Sequence, residues 1–159
     1  MKLLKTILAT AAIAGFASTA AAQDTGFYGT AGADLLTGGG VDLVAVTGRL
    51  GYNFTEYNGF KLGVEGQAAT GLAGDSGVSL DSQFAGFGIV SYPVTEQLDL
   101  FGRVGYHTTD VGESFDGVAF GGGGQWNFTG VDGIRLDYTF LDVSGGNADE
   151  FSVAYVRKF

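Results

Sequence analysis

The chain has 159 residues, among them 29 glycines, 13 Phe, 7 Tyr and 1 Trp but a single proline. Seventeen acidic against eight basic residues give a net charge of −9, which excludes nucleic-acid binding through basic patches. The aromatic content excludes a disordered chain, and the absence of cysteine excludes disulfides and thiolate metal sites.

The chain opens with Lys2 and Lys5, an apolar run from Ile7 to Phe16 and small residues ending Ala20, Ala21, Ala22. A charged start, a short apolar core and an A-x-A ending read as an export signal, with Ala20 and Ala22 marking the cleavage site. The apolar run is shorter than the roughly 20 residues a membrane-spanning helix needs. Residues 1–22 are therefore expected to be removed, leaving one domain over residues 23–159 with a charge of −11, since Lys2 and Lys5 depart. No later stretch could span a bilayer as a helix, so only strands could place this domain in a membrane.

A weak strand over residues 26–34 comes first. From Val44 onward apolar residues occupy every second position: Val44, Val46, Leu50, Tyr52 and Phe54; then Phe60, Leu62 and Val64; Phe84, Val90 and Tyr92; Leu98, Leu100, Val104 and Tyr106. The alternation continues through Val118, Phe120, Trp126 and Phe128, then Ile134, Leu136, Tyr138 and Phe140, and ends with Phe151, Val153, Tyr155 and Phe159. Period two means strands, and these runs make eight. The alternate positions hold Arg49, Lys61, Glu65, Gln67, Asp99, Arg103, Gln125, Arg135 and Asp137 among small residues. A charge-free apolar face opposite a face of balanced charges is the dyad pattern of a transmembrane barrel. The expected fold is all-β, an eight-stranded antiparallel up-and-down transmembrane β-barrel. Phe87, Ile89 and Phe101 fall on the inner face by this parity, as a bulge or a partly apolar plug would require.

Tyr52-Asn53-Phe54-Thr55 with Gly59-Phe60-Lys61-Leu62 returns as Trp126-Asn127-Phe128-Thr129 with Gly133-Ile134-Arg135-Leu136, and Tyr92-Pro93-Val94-Thr95 repeats part of it. Three tight turns of one chemistry are expected at the periplasmic end, with Tyr52, Tyr92 and Trp126 as an aromatic girdle at headgroup level. The segments near 35–42, 71–81, 109–117 and 144–150 are rich in Gly, Asp and Ser and are expected to be extracellular loops. Asp34, Asp42, Asp75, Asp81, Asp110, Glu113, Asp116, Asp142, Asp149 and Glu150 fall at or near them. Divalent cations could bridge these acids to lipopolysaccharide phosphates, but no run has calcium-loop spacing, so solvated loop acids are the favoured reading and no metal site is expected.

Eight strands leave an interior just wide enough for side chains, and a lone buried charge is costly. A packed network is therefore expected over a conduction path, with Arg103 and Arg135 meeting Glu65, Asp99 and Asp137, and with Arg49 and Lys61 on the same face. His107, the single histidine, is followed by Thr108-Thr109, so the serine a histidine base would activate is missing at that spacing. Gly121 to Gly124 lack the Lys-Ser or Lys-Thr of a phosphate loop and keep strand parity. Asn53 and Asn127 match the glycosylation pattern but belong to the repeated turn.

The segment from Tyr92 to Gly105, YPVTEQLDLFGRVG, resembles the fourth and fifth strands of the OmpA transmembrane domain. Gly51-Tyr52, Tyr57, Gly59-Phe60 and Leu62-Gly63 resemble its second hairpin, and Arg135-Leu136-Asp137-Tyr138 its seventh strand; OmpX-type small barrels share parts of these motifs. The resemblance implies a monomeric barrel in the bacterial outer membrane, in contact with its lipid and lipopolysaccharide, without cofactor. Phe151, Val153, Tyr155 and Phe159 resemble the C-terminal signal read by the barrel-assembly machinery, with Arg157 departing from it. At the positions matching the family's interior salt-bridge quartet stand Lys61, Ile89, Gln125 and Arg135, so that gate is absent or rebuilt. The OmpA family often continues into a peptidoglycan-binding domain, whereas this sequence is expected to close within its last strand, so the resemblance does not imply a cell-wall tether. A structural, non-enzymatic envelope barrel is the expectation, with a surface-binding adhesin and a narrow low-conductance pore as alternatives.

Overall fold

The computed structural model describes residues 26–74, 80–143 and 146–159; the expected signal and its Ala20 and Ala22 lie outside them. Eight strands follow one another: β1 (Gly26–Gly38), β2 (Val41–Tyr57), β3 (Phe60–Gly74), β4 (Ser82–Pro93), β5 (Leu98–Asp110), β6 (Ser114–Asn127), β7 (Asp132–Val143) and β8 (Gly146–Lys158). Each pairs antiparallel with the next and β8 with β1, closing the sheet into a barrel. Closure leaves no strand edge to be covered, which suits a chain without disulfides.

The period-two pattern sets the two faces. Along β2, Val44, Leu50 and Tyr52 point outward while Ala45, Thr47, Arg49 and Gly51 are buried. The odd positions stay inside from β2 through β7, and the even ones take over in β8, where Glu150, Ser152, Ala154 and Val156 are buried. The narrow cross-section constrains the inner wall strongly. A Cβ on inward Gly105 would lie 1.9 Å from the Gly86 carbonyl oxygen, whereas one on outward Gly86 would meet nothing within 4 Å.

Both described chain ends, Gly26 and Phe159, share one end of the barrel with the connections 58–59, 94–97 and 128–131. This terminal end is tied by hydrogen bonds from Phe159 N to the Phe27 carbonyl (2.9 Å) and from Lys158 N to the Val131 carbonyl (2.8 Å). The expected common turn holds for two of the three connections. Thr95 Oγ1 accepts from the backbone N–H of Gln97 and Leu98, and Thr129 Oγ1 from those of Val131 and Asp132. Thr55 instead stays inside β2, paired with Leu62 beside a bulge. The turn there is Asn58-Gly59, with φ of 51° and 80°, the mirror-type two-residue hairpin that positive φ at both positions defines.

At the opposite, loop end, the described parts of the expected loops at 35–42, 109–117 and 144–150 are mostly strand, while residues 75–79, with Asp75, and 144–145 lie outside the described residues. β1 and β2 stay paired to Gly38↔Val41, β5 and β6 to Asp110↔Ser114, and β7 and β8 to Val143↔Gly146, so the connections there are 39–40, 75–81, 111–113 and 144–145. Polar composition marks where side chains meet water. Backbone pairing continues as far as a neighbouring strand reaches.

Candidate functional site

Among the described residues, the strands gather charged side chains away from water in the interior. Glu65 of β3 is the hub. It accepts from Tyr28 Oη of β1 at 2.7 Å, from Arg103 Nη1 of β5 at 3.0 Å and from Arg135 Nη1 of β7 at 2.7 Å. Asp137 of β7 is the second hub, accepting from Arg49 Nη1 (2.9 Å) and Arg103 Nη2 (2.7 Å), with Arg135 Nε at 3.3 Å. Arg49 also reaches Gln67 Oε1 and Ser152 Oγ, while Gln67 and Gln83 donate to Glu150. The side chains of the Glu65, Asp137, Arg49 and Arg103 hubs have no exposed surface. The guanidiniums stack as well, Arg103 over the Phe87 ring at 4.4 Å and Arg135 over Phe101 at 3.8 Å. Cations over aromatic faces are favourable when desolvated, which explains why aromatic residues interrupt the polar inner face.

Of the residues expected in this network, Glu65, Arg103, Arg135 and Asp137 meet, and Arg49 joins them. Asp99 does not: it sits toward the terminal end, accepting from Asn127 Nδ2 at 3.0 Å with Lys158 Nζ at 3.9 Å. Lys61 is buried in that same region, where a small polar cup of about 40 Å³ has Ile89, Phe101 and Arg135 among its lining residues. Asp34 and Glu150, expected as solvated acids at or near the loops, are instead buried in the lumen, with Arg49 Nη2 at 3.6 Å and 3.5 Å from their carboxylates. Parity could have found Glu150, because it alternates with outward Phe151 and Val153. Tyr28 and Asp34 lie on the weakly patterned β1, where alternation says little.

Toward the loop end the charge layer gives way to apolar packing. Leu36, Leu43, Ala45, Ala69, Leu80, Ala119 and Leu141 cluster above Phe87. Leu80 precedes β4 and turns inward, its carbonyl accepting from Gly71 N at 3.0 Å. His107 is fully buried; its Nδ1 lies 3.0 Å from Thr109 Oγ1 and its Nε2 3.2 Å from the Asp142 carbonyl oxygen. That carbonyl can only accept, so Nε2 carries a hydrogen toward it. Both nitrogens are engaged, inside the wall.

The outer face is apolar. Tyr52, Tyr92 and Trp126 all point outward near the terminal end, where Tyr52 packs on Phe27 (centroids 4.7 Å apart) and Tyr92 on Phe60 (4.9 Å). Outward side chains turn polar again at Thr37, Asp42, Thr108, Asp116, Asp142 and Asp149, bounding an apolar band on β1, β2 and β5 to β8. Phe151, Val153 and Tyr155 point outward within it.

A closed barrel with an apolar outer band and a salt-bridged interior defines a transmembrane barrel of the outer-membrane class. The family model of the outer membrane protein beta-barrel domain matches residues 7–159, and the chain belongs to that family. No curated protein matches the sequence. Among solved structures, the attachment invasion locus protein Ail of Yersinia pestis superposes with a TM-score of 0.62 at 13% identity, covering 85% of this chain and 97% of Ail. Neisserial surface protein A gives 0.58 at 11% identity, with 86% and 98% covered. The N-terminal barrel of Pseudomonas aeruginosa OprF gives 0.59 at 10%, with 83% and 98% covered. At such identities the likeness is one of fold.

Proposed function

We propose that this protein is a structural barrel of the bacterial outer membrane, a sealed monomer that contributes to envelope integrity. One observation carries the reading: the ion pairs centred on Glu65 and Asp137 join β1, β2, β3, β5, β7 and β8 across the lumen, under an apolar cluster at the loop end. A pore needs a continuous wet path, and both layers work against one. Its terminal Phe159, with Phe151, Val153 and Tyr155, serves the assembly machinery during insertion. Its outer face meets lipid and, at the loop end, lipopolysaccharide.

Attachment to a surface partner ranks second, because three of the four loop-end connections are only two or three residues long. The test is to refold the mature protein and follow heat-modifiable gel migration together with swelling of liposomes that contain it. A compact band in sealed vesicles is expected. Solute-selective leakage through a compact barrel would replace the proposal with a pore.

A further inference from the structure

The buried ionisable side chains among the described residues do not balance. Asp34, Glu65, Asp99, Asp137 and Glu150 make five acids, and Arg49, Lys61, Arg103 and Arg135 make four bases. The other bases of residues 23–159, Arg157 and Lys158, are part-exposed at the terminal end beside Asp132 and Asp99. With every carboxyl ionised the interior would hold one uncompensated negative charge, which is costly away from water.

The contacts show which acid is least compensated. Glu65 accepts from Tyr28, Arg103 and Arg135, and Asp137 meets Arg49, Arg103 and Arg135. Asp34 has one ion-pair contact, Arg49 Nη2 at 3.6 Å, and neither of its carboxylate oxygens has a hydrogen-bond partner although the side chain has no exposed surface. Glu150 draws on the same nitrogen, at 3.5 Å. Asp34 pairs with Ser152 and Glu150 with Leu36, which makes the two acids diagonal neighbours on the inner face of the β1–β8 seam, where like charges repel. Leu36 belongs to the apolar cluster that covers this layer. The other charged or titratable groups of the lumen are engaged elsewhere. Tyr28, Glu65, Arg103, Arg135 and Asp137 bond to one another, Lys61 and Asp99 lie toward the terminal end, and His107 turns to Thr109 and the Asp142 carbonyl. Neutral Gln83 comes from β4 and donates to Glu150, and β6 adds Ala119, Gly121 and Gly123.

We propose that Asp34 and Glu150 hold one proton between them in the folded barrel at neutral pH, so that one of the two is a neutral acid and the interior is balanced. The unfolded chain releases that proton well below neutrality. The pair's contribution to stability therefore falls as pH rises, until the folded barrel has lost the proton too. The core thus carries an alkaline-sensitive site, whether or not the lumen conducts.

Infrared spectroscopy of the barrel refolded in an ester-free detergent reads the proton directly. At neutral pH, where exposed carboxyl groups are ionised, the wild type is expected to show a carboxylic-acid carbonyl band. Asp34→Asn and Glu150→Gln each leave four acids against four bases and should each lose it. Urea titration gives the second reading: the folding equilibrium of Asp34→Asn relative to wild type should rise at least about tenfold between about pH 6 and about pH 9, whereas a purely structural role would give the same ratio at both. Heat-modifiable migration checks that each variant folds, and the wild-type spectrum alone decides where one does not. A wild type without the band, a band retained in both folded variants, or an unchanged stability ratio would each overturn the proposal. Stability lost on replacing sodium with tetramethylammonium would overturn it in favour of a bound cation.

Discussion

Glu65→Gln tests the interior directly, because it removes one charge and almost no volume. Breaking a buried ion pair by removing one partner costs about 3–5 kcal/mol. Arg103 would keep Asp137 at 2.7 Å and the Thr139 hydroxyl. Away from residue 65, Arg135 would keep only the Asp137 contact at 3.3 Å and the Phe101 ring. The glutamine oxygen can still accept from two of the three former donors, Arg135 and either Arg103 or Tyr28. These remaining partners place the loss near the lower bound, about 3 kcal/mol, or roughly a hundredfold in the folding equilibrium. Urea titration of the barrel in lipid vesicles, followed by fluorescence of the single tryptophan, Trp126, measures it. Asp99→Asn is the control, since Asp99 has a neutral partner in Asn127 and a half-open one in Lys158, and should cost no more than about 1 kcal/mol. A loss below about 1 kcal/mol for Glu65→Gln, or equal losses for the two variants, would refute the hub.

The walls make further tests. Gly105→Ala should destabilise by about 1–3 kcal/mol through overpacking, since its Cβ would meet the Gly86 carbonyl at 1.9 Å; Gly86→Ala, with open space outside, should be neutral or stabilise by about 0.5–1 kcal/mol. The same urea titration separates them. Leu136→Arg, on the outward apolar face, should cost about 2–4 kcal/mol in vesicles if it lies at the midplane, against about 0–1 kcal/mol for Thr108→Arg at the polar boundary. Leu80→Asp puts a charge into the apolar cluster, yet vesicles carrying it should stay sealed in a swelling assay because the ion-pair layer beneath is intact; leakage would show that the cluster is the seal.

What the sequence displays well is anything repeated along one strand. Alternation from Val44 to Phe140 is enough to assign the two faces, and with them the inward positions of Arg49, Glu65, Arg103, Arg135 and Asp137. It also separates Phe87, Ile89 and Phe101 as inward aromatic and aliphatic exceptions, which the structure accounts for by stacking two of them under guanidiniums. Strand ends were less legible. The Gly-, Asp- and Ser-rich stretches at 35–42 and 109–117 look like loops, but their backbones remain paired beyond the apolar band.

Partner choice inside the lumen depends on something no single strand carries. Arg49 and Asp137 lie 88 positions apart, and Gln67 and Glu150 lie 83 apart; whether they meet is set by the stagger accumulated around all eight strands. Asp99 has the same parity as Asp137 and the same charge, yet its place in β5, opposite Gln125 and Pro93, puts it toward the terminal end and out of reach of the hub. Parity decides that a side chain points inward. Register decides at what level, and therefore which inward charges can neutralise one another.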